Sequence, residues 1–168
     1  RDMTLQDVLT KIDHDLPQAT ERLLTLLRIP SISTDPSYKD ACETAADWLV
    51  SDLLSMGVTA EKRATPGHPM VVGHIGQGAP HVLFYGHYDV QPVDPVVLWD
   101  SAPFDPQLQD TSGGRVIRGR GSSDDKGQLM TFIEACRAWQ AVHGSLPCKI
   151  TFFFEGEEES GSPSLVPF

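Results

Sequence analysis

Apolar residues recur along this chain with two different periods. Leu23, Leu24 and Leu27 fall at helical spacing, as do Cys42, Ala45, Ala46, Leu49, Leu53 and Met56. The pattern predicts a short helix over residues 4 to 14. A second helix follows, with Asp15 as its N-cap and Pro17 in its first turn, and Pro30 ends it. Ser31 to Pro36 reads as a loop. A long helix then runs from about Ser37 to Met56, where Gly57 stops it. Strand patterns come next. Val58 to Arg63 alternates weakly and reads as an edge, and Met70 to Ile75 is apolar. His81-Val82-Leu83-Phe84-Tyr85 is nearly continuous in apolar residues, which predicts a strand covered on both faces. Gln91 to Gly114 is rich in Pro, Asp and Gly, encloses Trp99 and Phe104, and reads as a long loop of the kind that carries function. Val116 to Arg118 is a short strand. Gly127 to His143 is a helix with Leu129, Phe132, Ile133, Cys136 and Trp139 on one face, and Lys149 to Phe154 is a second buried strand. There is no internal repeat, low-complexity tract or linker.

Helices alternating with apolar strands give an α/β class with a largely parallel core sheet. Such sheets place their sites beyond the carboxyl ends of the strands. Three acidic stretches occupy those places: Gly86-His87-Tyr88-Asp89, Gly121-Ser122-Ser123-Asp124-Asp125-Lys126-Gly127 and Glu155-Gly156-Glu157-Glu158-Glu159-Ser160. Each has a plain and a chemical reading. His87 binds a divalent ion well if its second ring nitrogen has an acceptor, and Asp89 two residues on can be that acceptor. An isolated His-x-Asp is more often a core histidine near a turn. Asp124 and Asp125 stand at a helix start, where carboxylates can cap the helix or bridge two cations. The Gly119 and Gly121 spacing fails as a phosphate loop, because Asp124 stands where a third Gly belongs and its charge repels phosphate. The last run follows Phe152-Phe153-Phe154, which pulls its carboxylates against the core. Crowded there they raise one another's pKa unless cations are near, so one can bind metal and a neighbour can act as a base. His14, His68, His74, His81 and His143 have no such setting and read as surface or ordinary structural residues.

Bulk properties narrow the picture. The chain has 168 residues, enough for one domain with a real core, and 40% apolar content. A net charge of −10 argues against nucleic acid as a partner. Part of that charge sits in the three acidic stretches, where cations would offset it. Cys42, Cys136 and Cys148 are odd in number, form no paired motif and read as buried reduced thiols, which suits the cytoplasm. No run approaches a membrane span or a signal core. Arg1-Asp2 reads as a remnant of processing or cloning, or as the edge of an ordered region.

Taken in this order, the segments resemble the M20 family of metallopeptidases, in particular its dipeptidase and carnosinase-like members. The resemblance rests on Gly86-His87-Tyr88-Asp89-Val90-Gln91-Pro92, on Trp99 with Pro103-Phe104, on Arg118 to Gln128 and on Glu155 to Ser162, with Arg28-Ile29-Pro30-Ser31 near the start. It implies a three-layer α/β/α fold with a largely parallel central sheet, like the zinc exopeptidases and here incomplete. It further implies that His87 binds one metal with Asp89 behind it, that Asp124 bridges two metals, that Glu159 binds the second, and that Glu158 is the general base. The Asp124–Asp125 bond is expected to be cis. The cofactors implied are two divalent ions, zinc first, with manganese or cobalt as alternatives. The implied reaction is hydrolysis of an amide bond in dipeptides or small peptides. An N-acyl amino acid deacylase of the acetylornithine or succinyl-diaminopimelate type is the alternative within hydrolases, and a non-catalytic binding protein the alternative outside them. Members of this family carry another acidic ligand, a distant final His and a lid domain used for homodimerisation. On that pattern residues 1–168 are the N-terminal portion of a catalytic domain and are inactive alone, because each metal has two protein ligands here and a catalytic zinc needs three.

Overall fold

The computed structural model describes residues 2–168; Arg1 lies outside them. The first helix, α1 (Leu5–Leu27), is continuous, where the sequence predicts two. Pro17 lies inside it and withholds an N–H from the Asp13 carbonyl, but both residues face solvent, so water can serve that carbonyl. Asp15 is therefore no cap; it pairs with Lys11 one turn back at 2.9 Å. Buried Leu24, Leu26 and Leu27 hold the far end of the helix. A 3-10 turn, Pro36–Tyr38, leads into α2 (Lys39–Ser55), and Gly57 at φ +80° reverses the chain behind it.

The main sheet contains β1 (Thr59–Arg63), β2 (Met70–Ile75), β3 (His81–His87) and β6 (Lys149–Glu155) in the order β1-β2-β6-β3. It is mixed. β3 and β6 run parallel, while β2 is antiparallel to both β1 and β6. The predicted long loop is interrupted by β4 (Gln107–Thr111), which forms a separate hairpin with β5 (Gly114–Arg118). The Gln, Asp and Thr of β4 hid it, because neither of its faces is apolar enough to show the two-residue period.

Opposed residues of neighbouring strands share a face. Val71, Gly73, Phe152, Phe154, Phe84 and Gly86 therefore look the same way. That face packs on α2 and on α3 (Lys126–His143): a methyl on Gly73 would meet Leu53, and the Phe84 ring stacks on Phe132 with centroids 4.0 Å apart. α1 lies against α3, and the Arg22–Glu134 and Arg137–Asp52 ion pairs tie the three helices together. The opposite face is open along β3, though Thr151 and Glu155 of β6 are buried on it. Leu83 is 64% exposed and Tyr85 43%, so β3 is covered on one face only, not on both as its sequence predicts. Cys42, Cys136 and Cys148 are free and buried. Among the described residues no helix is long and apolar enough to cross a membrane.

Candidate metal centre

Parallel pairing sets the position of the site. His87 is the last residue of β3 and lies opposite Glu155, the last residue of β6, so both strands release their loops at one edge. The loop after His87 is pinned at once. Tyr88 is fully buried, its N–H donates to the Glu155 carbonyl at 3.0 Å, and its hydroxyl donates to the Pro69 carbonyl at 2.6 Å. Gly156 leaves room for that ring; any side chain there would run into it. From the N-terminal side, the Ser31 hydroxyl donates to the Tyr88 carbonyl at 2.6 Å and the Val90 N–H donates to the Ser31 carbonyl at 2.9 Å.

These contacts deliver Asp89, fully buried, into the middle of the site. One of its oxygens lies 3.2 Å from His87 Nδ1 and accepts the Glu158 N–H at 3.2 Å. The other accepts the Glu159 N–H at 3.0 Å and the Ser33 hydroxyl at 2.6 Å. The carboxylate thus holds the imidazole and also the 3-10 turn Glu158–Ser160. Asp124 and Asp125 come from the turn before α3. Their peptide bond is cis, in agreement with the resemblance. Asp125 stands at the N-cap position but caps nothing with its side chain, which instead accepts the His87 N–H at 3.1 Å. Gly86 permits that approach, since a Cβ there would lie 3.0 Å from the Asp125 carboxylate. Fully buried Lys126 anchors this turn, donating to the Leu26 and Ile29 carbonyls at the end of α1 at 3.1 and 2.7 Å.

His87 Nε2 faces Asp124 Oδ1 at 3.0 Å and Glu158 Oε2 at 3.6 Å. Ligand atoms of His87, Glu158 and Glu159 lie within 4.8 Å of one another. Both neighbours of Nδ1 are acceptors, the Asp89 carboxylate and the Asp89 carbonyl at 3.1 Å, so Nδ1 carries a hydrogen. Nε2 then points a lone pair at carboxylate oxygens, an arrangement that holds only with a proton or a cation between them. The donor set of one imidazole and three carboxylates suits a divalent ion there. Burial works against a charged ring, yet the Asp89 hydrogen bond and the nearby Asp89 and Asp125 charges outweigh it and raise the His87 pKa to about 9. The Glu158 carboxyl lies above its ordinary value. Lost hydration is the largest cause, Glu159, Asp89 and Asp124 add to it, and His87 opposes them.

The acidic run divides in two. Glu155 and Glu157 turn inward, 0% and 2% exposed, while Glu158 stays open to solvent and Glu159 is half-buried. Glu157 accepts the His68 N–H at 2.7 Å and the Ser164 hydroxyl at 2.9 Å. Glu155 accepts the Tyr85 and Ser162 hydroxyls on one oxygen, and its other oxygen has no partner among the described residues. All five residues singled out in the sequence, His87, Asp89, Asp124, Glu158 and Glu159, therefore meet at one strand end. Ser33 and His68 were not singled out. Ser33 bonds Asp89, and His68 Nε2 lies 3.1 Å from the Ser33 carbonyl. Neither position carries a local signal, because their partners lie 56 and 35 residues away.

Comparison with known proteins places the site in context. The profile of Peptidase family M20/M25/M40 matches residues 83–167, which hold all five of these residues. The chain is 32% identical to the Cys-Gly metallodipeptidase DUG1 of Saccharomyces cerevisiae, over 96% of this chain and 36% of that protein. The solved structure of the dipeptidase Dug1p superposes with a TM-score of 0.87 at 32% identity, again over 96% and 36% of the two chains. Human carnosine dipeptidase 1 superposes with a TM-score of 0.86 at 28% identity, over 98% of this chain and 37% of that one. The chain thus spans about a third of the length of these relatives.

Proposed function

The chain belongs to Peptidase family M20/M25/M40, and on that premise we propose that it forms part of a metallopeptidase that hydrolyses the amide bond of dipeptides with two divalent ions, zinc first among them. The convergence of His87, Asp124, Glu158 and Glu159 around buried Asp89 is the observation that carries this reading. His87 would hold one ion through Nε2 while Asp89 keeps the hydrogen on Nδ1. Asp124, its side chain 69% exposed, would bridge both ions, and Glu159 would hold the second. Divalent ions at such positions acidify water and polarise a carbonyl. Glu158 takes the water's proton and passes it to the leaving amine, a role that its raised pKa suits. The metallodipeptidase relatives favour a dipeptide over an N-acyl amino acid as substrate. The three free thiols fit a cytoplasmic setting.

On this assignment each ion would have two ligands in this chain, His87 with Asp124 and Asp124 with Glu159, so residues 1–168 alone are expected to bind ions weakly and to turn over no dipeptide. We assign them to the N-terminal portion of a catalytic domain. On this reading the full-length protein would supply the other ligands and a lid through which it dimerises. Assays of the zinc-loaded full-length protein with a panel of dipeptides and of N-acyl amino acids test the reading. Dipeptide turnover is expected; turnover of the acylated substrates alone moves the assignment to a deacylase, and no turnover with no metal uptake ends it.

Metal uptake should also depend on pH. The metal-free His87 ring is protonated below about pH 9, and an ion at Nε2 must displace that proton. Below about pH 9, apparent affinity for the ion at His87 is expected to rise with pH by up to about tenfold per unit, with about one proton released on binding that ion, and to level off above pH 9. Calorimetry in buffers of different ionisation enthalpy measures the proton count; zero protons released at pH 7 contradicts this arrangement of His87.

A further inference from the structure

Gln91 belongs to the segment that carries His87 and Asp89, yet the mechanism above gives it no part. Its backbone is fixed, because the preceding Val90 is fully buried, forms a bridge with Ile32 and donates its N–H to the Ser31 carbonyl. Its side chain is not packed. The residue is exposed, and its amide nitrogen reaches across 68 residues of sequence to Glu159, lying 2.8 Å from Oε2 and 3.3 Å from the carbonyl oxygen. A primary amide has two hydrogens to donate, and its nitrogen has two Glu159 acceptors within reach. Glu159 is thus held at three points: its N–H by Asp89, and its carbonyl and one carboxylate oxygen by Gln91.

We propose that Gln91 is a positioning residue for Glu159, fixing its carboxylate so that one oxygen is engaged and the other is presented to a divalent ion. The inference rests on the metal-binding reading above. A carboxylate on a free side chain spreads over several rotamers, and ordering it costs binding energy that a standing hydrogen bond has already met. The chemistry of the donor matters. A Lys or Arg at this place would orient Glu159 as well, but its positive charge would repel the incoming cation. A neutral amide orients the carboxylate and leaves its charge for the ion. Alternate residues of one short segment then divide the work: Asp89 sets the imidazole, and Gln91 sets the Glu159 carboxylate.

The test compares the full-length protein with Gln91→Met, which keeps length and loses the donor, and Gln91→Glu, which turns the donor into an acceptor facing Glu159. Three quantities are read: the thermal midpoint of the metal-free protein, the affinity for Zn²⁺ by competition with a chromophoric chelator, and the visible absorption spectrum after loading with Co²⁺. In Gln91→Met we expect an unchanged midpoint, about tenfold weaker binding of one equivalent of Zn²⁺ and an altered Co²⁺ spectrum, with a larger loss in Gln91→Glu. Wild-type affinity and spectrum in Gln91→Met overturn the proposal. So does a fall in the metal-free midpoint that accounts for the affinity loss, which would make Gln91 a packing residue. If the wild-type protein takes up no divalent ion, the metal reading fails with it; if only the variants behave as wild type, the metal reading stands without Gln91.

Discussion

Glu158→Gln in the full-length protein is expected to keep its divalent ions and lose turnover by about 10²- to 10⁴-fold, the range that a positioned acid–base group contributes. The substitution is close to isosteric, and an amide cannot take a proton from water or return one to an amine. It should cost little in folding. The Glu158 side chain is 44% exposed, and the site holds that residue through its backbone N–H, which the variant retains. Ion retention is the sharper half of the expectation. Glu158 lies within ligand distance of the same centre as His87 and Glu159, so proximity alone does not separate a base from a ligand. Their surroundings differ. Glu159 is half-buried and oriented by Gln91, whereas Glu158 is open, faces the imidazole at 3.6 Å and has its pKa raised. Metal content after dialysis, with steady-state kinetics on a dipeptide, measures both halves. Normal turnover removes Glu158 as the base, and loss of an ion equivalent makes it a ligand.

Much of this site is legible along the chain because its parts are local. An apolar strand followed at once by His-x-Asp, or by a run of Glu, places polar groups at a strand end whatever else the fold does. The parallel pairing of β3 with β6 then makes two such ends coincide. Features that depend on distant partners are not legible. Asp89 reads as a partner for His87 two residues away, but nothing local reports that it also receives the N–H groups of Glu158 and Glu159, about 70 residues on. The acidic run shows that carboxylates meet the core, yet which of them turn inward is decided by Tyr85, His68 and Ser164. Pro17 misleads for a related reason. A proline inside a helix crowds and orphans the carbonyl four residues back, and water can serve that carbonyl where it is exposed; exposure at Asp13 and Pro17 is a property of packing, which local sequence does not carry. The apolar run of β3 misleads as well: it predicts cover on both faces, yet Leu83 and Tyr85 are exposed, because an apolar run reports composition and not which face finds a partner.

Asp89 is where those distant contacts converge, and Asp89→Asn should therefore do more damage than loss of any one ligand. The carboxylate is fully buried and has donors on every side: the His87 ring, two backbone N–H groups and the Ser33 hydroxyl. An amide of the same shape offers one acceptor oxygen, while its NH₂ meets N–H groups that can only donate. Each buried donor left unpaired costs about 1–3 kcal/mol, so the metal-free variant should melt measurably lower. Metal binding should fall too, by about 10- to 100-fold, because His87 loses the partner that orients its ring and the Glu158–Ser160 turn loses its anchor. The control is Asp124→Asn. Its side chain is 69% exposed, so it should weaken metal binding and leave the metal-free melting point near wild type. Thermal melts of the metal-free proteins and chelator competition on both variants distinguish the two roles. If Asp89→Asn melts like wild type while binding metal poorly, Asp89 serves only the ion. If it binds metal like wild type, the turn carrying Glu158 and Glu159 is held by something other than Asp89.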